Sequence, residues 1–271
     1  MTPPEAMLWV MAGIVIGAYA GAIGAGGGFL VTPVLLLRFQ DSPPAEVTAA
    51  SLVVVAVTSF SASVLSFRER RVDRKLAMGM LMLVVPAGLL GAATTAVVPR
   101  APFALGFGAV LLLIAGYLVF RPVAASVAPV PGRAWRRELI DQDGVRYVYH
   151  VPLWRSIAPN VGTGFLSSLA GIGGGPIGVP VMTYIMRVPH AITVPTMHFI
   201  IVLQSAAAVT LHLSLGHIGT PMAVVPWLAI GVAAASPLGR LLRRRIGEGR
   251  LMQALAVGLL FAAARTMAEG L

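Results

Sequence analysis

The chain contains eight long apolar stretches that are separated by short polar or basic connections. They cover roughly residues 7–38, 45–67, 76–98, 103–120, 156–187, 189–215, 221–239 and 251–269. About 20 apolar residues are enough to cross a bilayer as a helix. Hydrophobic residues make up 57% of the chain and charged residues only 11%, whereas about a quarter of a soluble domain is charged. The pattern predicts an all-α integral membrane protein and excludes a water-soluble globule.

Two of the stretches, 7–38 and 156–187, are too long for one crossing and too short for two. Each is interrupted by glycines, as Gly24-Ala-Gly-Gly-Gly28 and as Gly171-Ile-Gly-Gly-Gly175. A helix that breaks at membrane depth persists only where the break is buried or lines a cavity. We therefore predict that each stretch forms a helical hairpin that turns near the centre of the bilayer.

The two halves of the chain are similar in sequence. A shift of 147 residues aligns Gly26–Gly28 with Gly173–Gly175, and Pro33 with Pro180. Each half, 1–120 and 154–271, then contains one hairpin and three single crossings, so the second half enters the membrane from the opposite side. An inverted-topology repeat with broken helices in matching positions is typical of secondary transporters, whose substrate site lies near the midplane.

The basic residues predict the orientation of the chain. Of the 20 Lys and Arg residues, seventeen lie in 68–75, in 121–155, at Arg187 or in the predicted loop 240–250, all on one side of the predicted membrane. The positive-inside rule places that side in the cytoplasm and both termini outside. The net charge of +10 is therefore a topology signal, and no nucleic-acid partner is expected. We expect a multi-pass membrane protein.

The segment 121–153 is a polar cytoplasmic linker between the two halves. Its run 138–150 is compatible with a short β-hairpin that turns at Asp143-Gly144. A plain tether is the favoured interpretation of the segment, because connecting loops usually serve as such. A regulatory or partner-binding role is the alternative.

Candidate binding residues lie at the glycine turns and on the helices that follow them. Helices that begin after Gly28 and Gly175 would direct unpaired N–H groups and a positive dipole end toward the bilayer centre, where both attract anions. Close helix packing is the alternative role of these glycines. The predicted substrate site consists of Gly26, Gly27, Gly28, Ser51, Gly173, Gly174, Gly175, His198 and Gln204.

The predicted helix 189–215 carries three polar residues on one face. His198, Ser205 and His212 are spaced by seven, and Gln204 lies beside them. Ionisable groups inside a membrane are costly and usually face a cavity or a partner. His198 is therefore an anion donor or proton carrier, or else it bonds a neighbouring helix. The predicted spans hold no Asp or Glu away from their ends, which disfavours carboxylate-based ion coupling and a cationic substrate.

Several motifs together resemble a known family. They are the paired Gly-x-Gly-Gly-Gly segments, each with a proline five residues later, the segment 70–73 with its partner 216–219, and Gly88-Leu-Leu-Gly91. They resemble the TauE/SafE family of sulfite and organosulfonate exporters over about residues 10–268. The resemblance implies an all-helical inverted-repeat fold in the inner membrane and export of small sulfur oxyanions or sulfonates.

We therefore expect a transporter that exports a small anion, most directly sulfite or an organosulfonate, by alternating access. A carrier of a carboxylate or an amino acid and a non-transporting scaffold subunit are the alternatives. No catalytic constellation is apparent at the predicted midplane, so no enzyme activity is expected. Without cysteine or an H-E-x-x-H pair, no metal or cofactor is expected either. The expected partners are the anion and the lipid bilayer, and a homo-oligomer is compatible with the sequence.

Overall fold

The structure is a computed structural model that describes residues 2–23, 27–119, 134–246 and 248–270. It is mostly helical, and four of its helices are long and apolar enough to cross a membrane: Pro3–Gly21, Pro44–Arg68, Arg74–Thr95 and His190–Ser214. Large apolar side chains such as Met82 and Leu90 point outward on these helices. Such an apolar surface is stable in lipid, which confirms the prediction of a helical multi-pass membrane protein.

The described part of the first half is built from helices on both sides of the first glycine cluster. They are α1 Pro3–Ile23, α2 Gly28–Arg38, α3 Pro44–Arg68, α4 Arg74–Thr95 and α5 Arg100–Val119. Pro44 occupies the first position of α3. Proline suits that position, because the N–H that it lacks would have no hydrogen-bond partner within the helix. Asp73 caps α4, because its Oδ1 accepts a hydrogen bond from the Leu76 N–H at 3.0 Å.

The second half has a similar order of elements. They are α6 Leu153–Leu169, α7 Gly175–Pro180 with a π-helical turn Val181–Ile185, α8 His190–Ser214, a 3₁₀ turn Thr220–Val224, α9 Val225–Ile246 and α10 Glu248–Gly270. The α6 and α7 segments are joined at residues 170–174, and Asn160 Nδ2 in the middle of α6 lies 3.5 Å from Sδ of Met186, which follows the π-helical turn. This second stretch therefore folds as a hairpin, as predicted.

Helices of one half pack against helices of the other. The α1 helix packs on α9, α6 on α4, α5 on α10, and α3 on α8. Small residues permit these contacts: a Cβ on Gly17 would lie 2.6 Å from the Val232 carbonyl oxygen. The α3 and α8 helices run antiparallel: Phe67 at the end of α3 meets Phe199 in the first half of α8, with ring centroids 5.2 Å apart, whereas Leu52 in the first half of α3 clusters with Ala208 in the second half of α8.

The described part of the linker forms a β-hairpin. Strands β1 Trp135–Ile140 and β2 Arg146–Val151 pair antiparallel, and Gly144 has a φ of +79° in the turn between them. The hairpin at Asp143-Gly144 is thus confirmed. Tyr149 and Val151 are buried in one apolar cluster with residues from the start of α4, the π-helical turn and α8. This part of the linker therefore docks on the transmembrane helices and is more than a plain tether.

The predicted loop 240–250 was wrong in its extent. The α9 helix continues to Ile246 and α10 begins at Glu248, so the arginines between 240 and 245 belong to the end of α9. Arginine is a good helix former, and a helix that leaves the apolar layer continues into its polar flank without penalty. The end of the apolar stretch indicates the edge of the membrane, whereas the α9 helix extends past that edge to Ile246.

Candidate functional site

The second glycine turn joins α6 to α7 and needs glycine for its shape. Gly171, Gly173 and Gly174 have φ values of +68°, +75° and +78°, which other residues adopt only with strain. A side chain at Gly173 would also collide with Val55 of α3. Gly175 follows as the buried first residue of α7. Backbone conformation and contact with α3 together fix this turn.

Polar side chains surround the last residue of the turn. A Cβ built on Gly174 would lie 3.2 Å from Gln204 Oε1 and 3.5 Å from Ser167 Oγ. Both side chains are buried, and neither oxygen has a hydrogen-bond partner among the described residues. An unpaired buried polar atom costs about 1–3 kcal/mol, so proteins seldom retain one without a function or a bound molecule to satisfy it. The turn thus presents two polar atoms beside Gly174.

The orientation of the Gln204 amide follows from its other contacts. Its Nε2 donates to the Gly164 carbonyl oxygen at 3.1 Å and to Ser168 Oγ at 3.2 Å. Because a carbonyl oxygen only accepts, the amide nitrogen must face Gly164 and the amide oxygen must face Gly174. Gln204 therefore offers an acceptor to the turn, whereas the Ser167 hydroxyl both donates and accepts.

Gly27 and Gly28, the described residues of the first glycine cluster, have mostly apolar neighbours. Gly26 lies outside the described residues, and Gly27 has a φ of +71°. A Cβ on Gly27 would lie 3.2 Å from Ala20 Cβ, and one on Gly28 would lie 2.6 Å from the Ile172 carbonyl oxygen. Gly28 therefore touches the second glycine turn, and the polar surroundings belong to that second turn.

Ser51 ties α3 to the second turn. Its Oγ donates to the Gly171 carbonyl oxygen at 2.8 Å, and Thr32 Oγ1 of α2 lies 3.0 Å from the same oxygen. The two hydroxyl oxygens are 2.8 Å apart. A buried hydrogen-bond cluster of Ser51, Thr32 and Gly171 thus connects the two halves. The Ser51 hydroxyl is already bonded to protein atoms.

His198 lies on α8 six residues before Gln204. The His198 side chain is buried, and its Nδ1 has no hydrogen-bond partner among the described residues. Ser205 Oγ and His212 Nε2 on the same helix face are likewise buried and unpaired within the described part of the chain. The predicted polar face of α8 is therefore buried in the protein and not turned toward lipid.

Comparison with known proteins identifies the family of this chain. The sequence profile of the sulfite exporter TauE/SafE family matches residues 9–266. The chain belongs to the TauE/SafE family. It is also 26% identical over 273 residues to the probable membrane transporter protein YunE of Bacillus subtilis strain 168, covering 98% of each chain. No solved structure matches the chain.

In this TauE/SafE protein a second polar cluster joins the β-hairpin to the helix ends. The carboxylate of Asp73, which caps α4, accepts hydrogen bonds from the Arg137 guanidinium, with Nε at 2.8 Å, and from the Tyr149 hydroxyl. The Asp73 N–H in turn donates to Thr196 Oγ1 of α8 at 3.0 Å. One buried residue thus connects α4, α8 and the hairpin.

The charged groups of this cluster stabilise one another in their ionised forms. Burial raises the pKa of the Asp73 carboxyl, but hydrogen bonds from Arg137, from the Leu76 N–H and from Tyr149 outweigh it and hold that pKa below its ordinary value. Hydrogen bonding to Asp73 raises the pKa of the Arg137 guanidinium. Burial, followed by the neighbouring Asp73, raises the pKa of the Tyr149 hydroxyl. The cluster therefore holds an ionised carboxylate and guanidinium at neutral pH.

The structure adds two serines to the site that the sequence predicts for this TauE/SafE protein. Of the predicted residues, the structure brings Gly173, Gly174 and Gln204 together and places Ser51 on the far side of the same turn. Ser167 and Ser168 were not predicted, although two adjacent serines just before a glycine break are a signal that would have found them. Within the described ranges no three His, Asp or Glu side chains gather as ligands for a metal.

Proposed function

We propose that this chain is a secondary transporter that exports a small anion, most directly sulfite or an organosulfonate, by alternating access. Its TauE/SafE membership supports the transport role, and the description of that family names sulfite. The location of the proposed binding site is supported by the buried oxygens of Gln204 and Ser167 beside Gly174, neither of which has a hydrogen-bond partner among the described residues. An oxyanion at this turn would accept a hydrogen bond from the Ser167 hydroxyl, and a hydrogen carried by the same ligand would satisfy Gln204 Oε1.

The two halves in this proposal are an inverted repeat. The α3 and α8 helices have 25 residues each and start 146 positions apart, after Pro43 and Pro189. Gly27 and Gly174, 147 positions apart, have φ values of +71° and +78°. The packing of α1 on α9 has its counterpart in α6 on α4. These correspondences support two hairpins of opposite orientation that meet at their tips.

The proposed orientation follows from charge. The loop after α3, the β-hairpin and the end of α9 hold most of the basic residues and face the cytoplasm under the positive-inside rule. Both termini then face outward from the cell inner membrane. The contact of Ile172 with Gly28 lies level with Val55, halfway along α3, which supports a site near the bilayer midplane.

The chemistry of the site favours particular ligands. The Ser167 hydroxyl and the backbone of Gly173–Gly175 supply donors for an oxyanion, and the absence of side chains at these glycines permits close approach. Gln204 Oε1 accepts only, so the best ligand also carries a hydrogen, as hydrogen sulfite or an amino-substituted sulfonate does. His198 completes the proposed set from the same helix, and Ser51 holds the turn in place through Gly171.

Flux measured in proteoliposomes tests this proposal. We expect saturable sulfite or short-sulfonate flux above that of empty liposomes, and at least a tenfold loss in Gly174→Ala, whose methyl group enters the space beside Gln204. Gly216→Ala is the matched control, because Gly216 has a φ of +77° but nothing within 4 Å of its Cβ position. It introduces the same backbone strain without filling a site. Equal flux in Gly174→Ala and Gly216→Ala would show that the second glycine turn does not bind the anion. No flux of either anion in folded wild-type protein would refute transport of these anions.

A further inference from the structure

The face of α8 that carries His198, Ser205 and His212 has buried polar atoms along much of its length. Their exposed fractions are 5%, 0% and 0%. His198 Nδ1, Ser205 Oγ and His212 Nε2 have no hydrogen-bond partner within the described part of the chain. A seven-residue interval on a helix spans about 10.5 Å, so these groups reach one another only through bridging water molecules or neighbouring hydroxyls.

The antiparallel α3 helix supplies hydroxyls on its facing side. Leu52 of α3 and Ala208 of α8 belong to one small buried cluster with Ala92 of α4, which indicates the faces that meet and forms an apolar step between Ser205 and His212 that a proton has to cross. Ser59 is seven residues after Leu52 and therefore on the same face, with Ser63 one turn further. Both hydroxyl oxygens are buried and unpaired among the described residues. We call this row of polar groups between the two helices the α3–α8 seam.

The seam ends in a pair of imidazoles. His212 Nδ1 lies 3.0 Å from Nδ1 of His217, which follows the end of α8 and is half-exposed. A hydrogen bond between two Nδ1 atoms needs one ring that donates and one that accepts. When a proton crosses this bond, the two rings exchange the roles of donor and acceptor. The hydrogen on Nε2 is then carried by the other ring. The pair thus links solvent to the buried Nε2 of His212.

Other ionisable groups lie at the ends of the seam. The helices α3, α4 and α6, which pack on α8, carry none in their central parts, which are residues 47–67, 76–95 and 156–169. The Glu46 carboxylate approaches Gly219 beside the imidazole pair. At the other end Asp73 bonds to Thr196, and Arg74 stacks on Phe67 at 5.0 Å. Arg68, Lys75 and Arg155 lie near the ends of the same helices, and Tyr184 lies on the π-helical turn. Imidazole is the side chain that exchanges protons most readily near neutral pH.

We propose that the α3–α8 seam conducts a proton between the outer surface and His198, and so couples anion movement to proton movement. This inference rests on the proposed function, because it assigns the coupling ion to the same transport cycle. His198 lies on the helix that carries Gln204, so a proton held there changes the charge near the bound anion. His212 and His217 are then the port through which that proton enters or leaves.

The transfer balances without any redox partner. His217 accepts a proton from external water at Nε2 and passes its Nδ1 proton to His212 Nδ1. His212, now protonated on both nitrogens, releases the Nε2 proton to a water molecule in the seam. One proton enters and one leaves, and ring rotation or exchange with water restores the starting tautomers.

The experiment uses the full-length protein in proteoliposomes that contain a pH-sensitive dye. A short alkanesulfonate is the probe, since it is the anion of a strong acid and carries no proton through lipid by itself. We expect internal pH to change in step with sulfonate flux, and an imposed pH gradient to drive sulfonate accumulation several-fold. In His212→Gln we expect at least a tenfold loss of this accumulation, while sulfonate exchange at equal pH continues. His150→Gln on the exposed face of the β-hairpin is the control and behaves as wild type.

The outcomes separate this inference from the proposed function. Sulfonate flux without any pH change, or full coupling in both His212→Gln and His217→Gln, would overturn the proton pathway and leave the transporter intact. No sulfonate or sulfite flux in folded wild-type protein would overturn both. His217→Gln provides a second variant at a half-exposed position, so the proposal stays falsifiable if the buried substitution impairs folding.

Discussion

Arg137→Met breaks the ion pair that docks the β-hairpin. The substitution retains the aliphatic part of the side chain but leaves Asp73, whose side chain is 0% exposed, without its cationic partner. Removing one partner of a buried pair costs about 3–5 kcal/mol, because the remaining charge is uncompensated. At about 1.4 kcal/mol for each factor of ten, a cost of about 3–5 kcal/mol raises the undocked population roughly 10²- to 4 × 10³-fold.

A single introduced thiol reports this opening. The chain contains no cysteine, and Val151 on β2 is fully buried, so Val151→Cys reacts with a water-soluble maleimide only when the hairpin leaves the helices. We expect the labelling rate of Val151→Cys to rise by about the same factor, 10²- to 4 × 10³-fold, when Arg137→Met is added.

The matched control is Arg146→Met on the same hairpin. Its guanidinium pairs with Glu138 at 2.7 Å, but both side chains are exposed, at 59% and 37%. Surface ion pairs contribute little, since water screens them, so the labelling rate of Val151→Cys is expected to stay unchanged. Equal rates in the Arg137→Met and Arg146→Met backgrounds would refute the reasoning that burial makes the Asp73 pair decisive.

Three further predictions concern pH, the site and the hairpin tips. Because the pKa of Asp73 is held below its ordinary value of 3.8, its stabilisation is complete above that value and is lost as pH falls through the lowered pKa. Fluorescence of Trp135, with the other three tryptophans changed to Phe, should report this acid undocking only below pH 3.8, and undocking that is already complete above that pH would contradict it. Ser167→Ala removes an unpaired hydroxyl, so thermal stability should hold or rise while flux falls. Ser156→Ala on the same helix is its control, and equal flux in both would exclude Ser167 from the site. Gly28→Ala should lower the melting temperature, since its Cβ would lie 2.6 Å from the Ile172 carbonyl oxygen. Gly79→Ala, with nothing within 4 Å, should not lower it.

Local pattern in the sequence was enough to predict the membrane class and the helix breaks. Apolar length identifies spans, and a glycine cluster within such a stretch has few roles other than a turn or a close contact. The turn at Asp143-Gly144 was likewise local, because Gly144 needs a positive φ there. These features depend on neighbouring residues, and a single sequence contains them.

Contacts between distant residues were beyond such reasoning. Asp73 and Arg137 are 64 positions apart, and nothing near either residue indicates its partner. Ser51 illustrates the same difficulty: its place on α3 suggested a ligand contact, whereas its hydroxyl donates to Gly171 across 120 positions. The assignment of Ser51 to the binding site stays a prediction, and its observed contact is structural.

The measurement that tests the location of the site most directly is ligand protection of a thiol at Ser167. Ser167→Cys provides the single cysteine of the chain, and its labelling by N-ethylmaleimide is followed while a short alkanesulfonate is increased. We expect saturable slowing of the labelling, with a midpoint that matches the KM of sulfonate flux. Ser214→Cys at the exposed end of α8 should show no protection. Equal labelling of Ser167→Cys at every sulfonate concentration, in protein that still transports, would contradict a binding site at the second glycine turn.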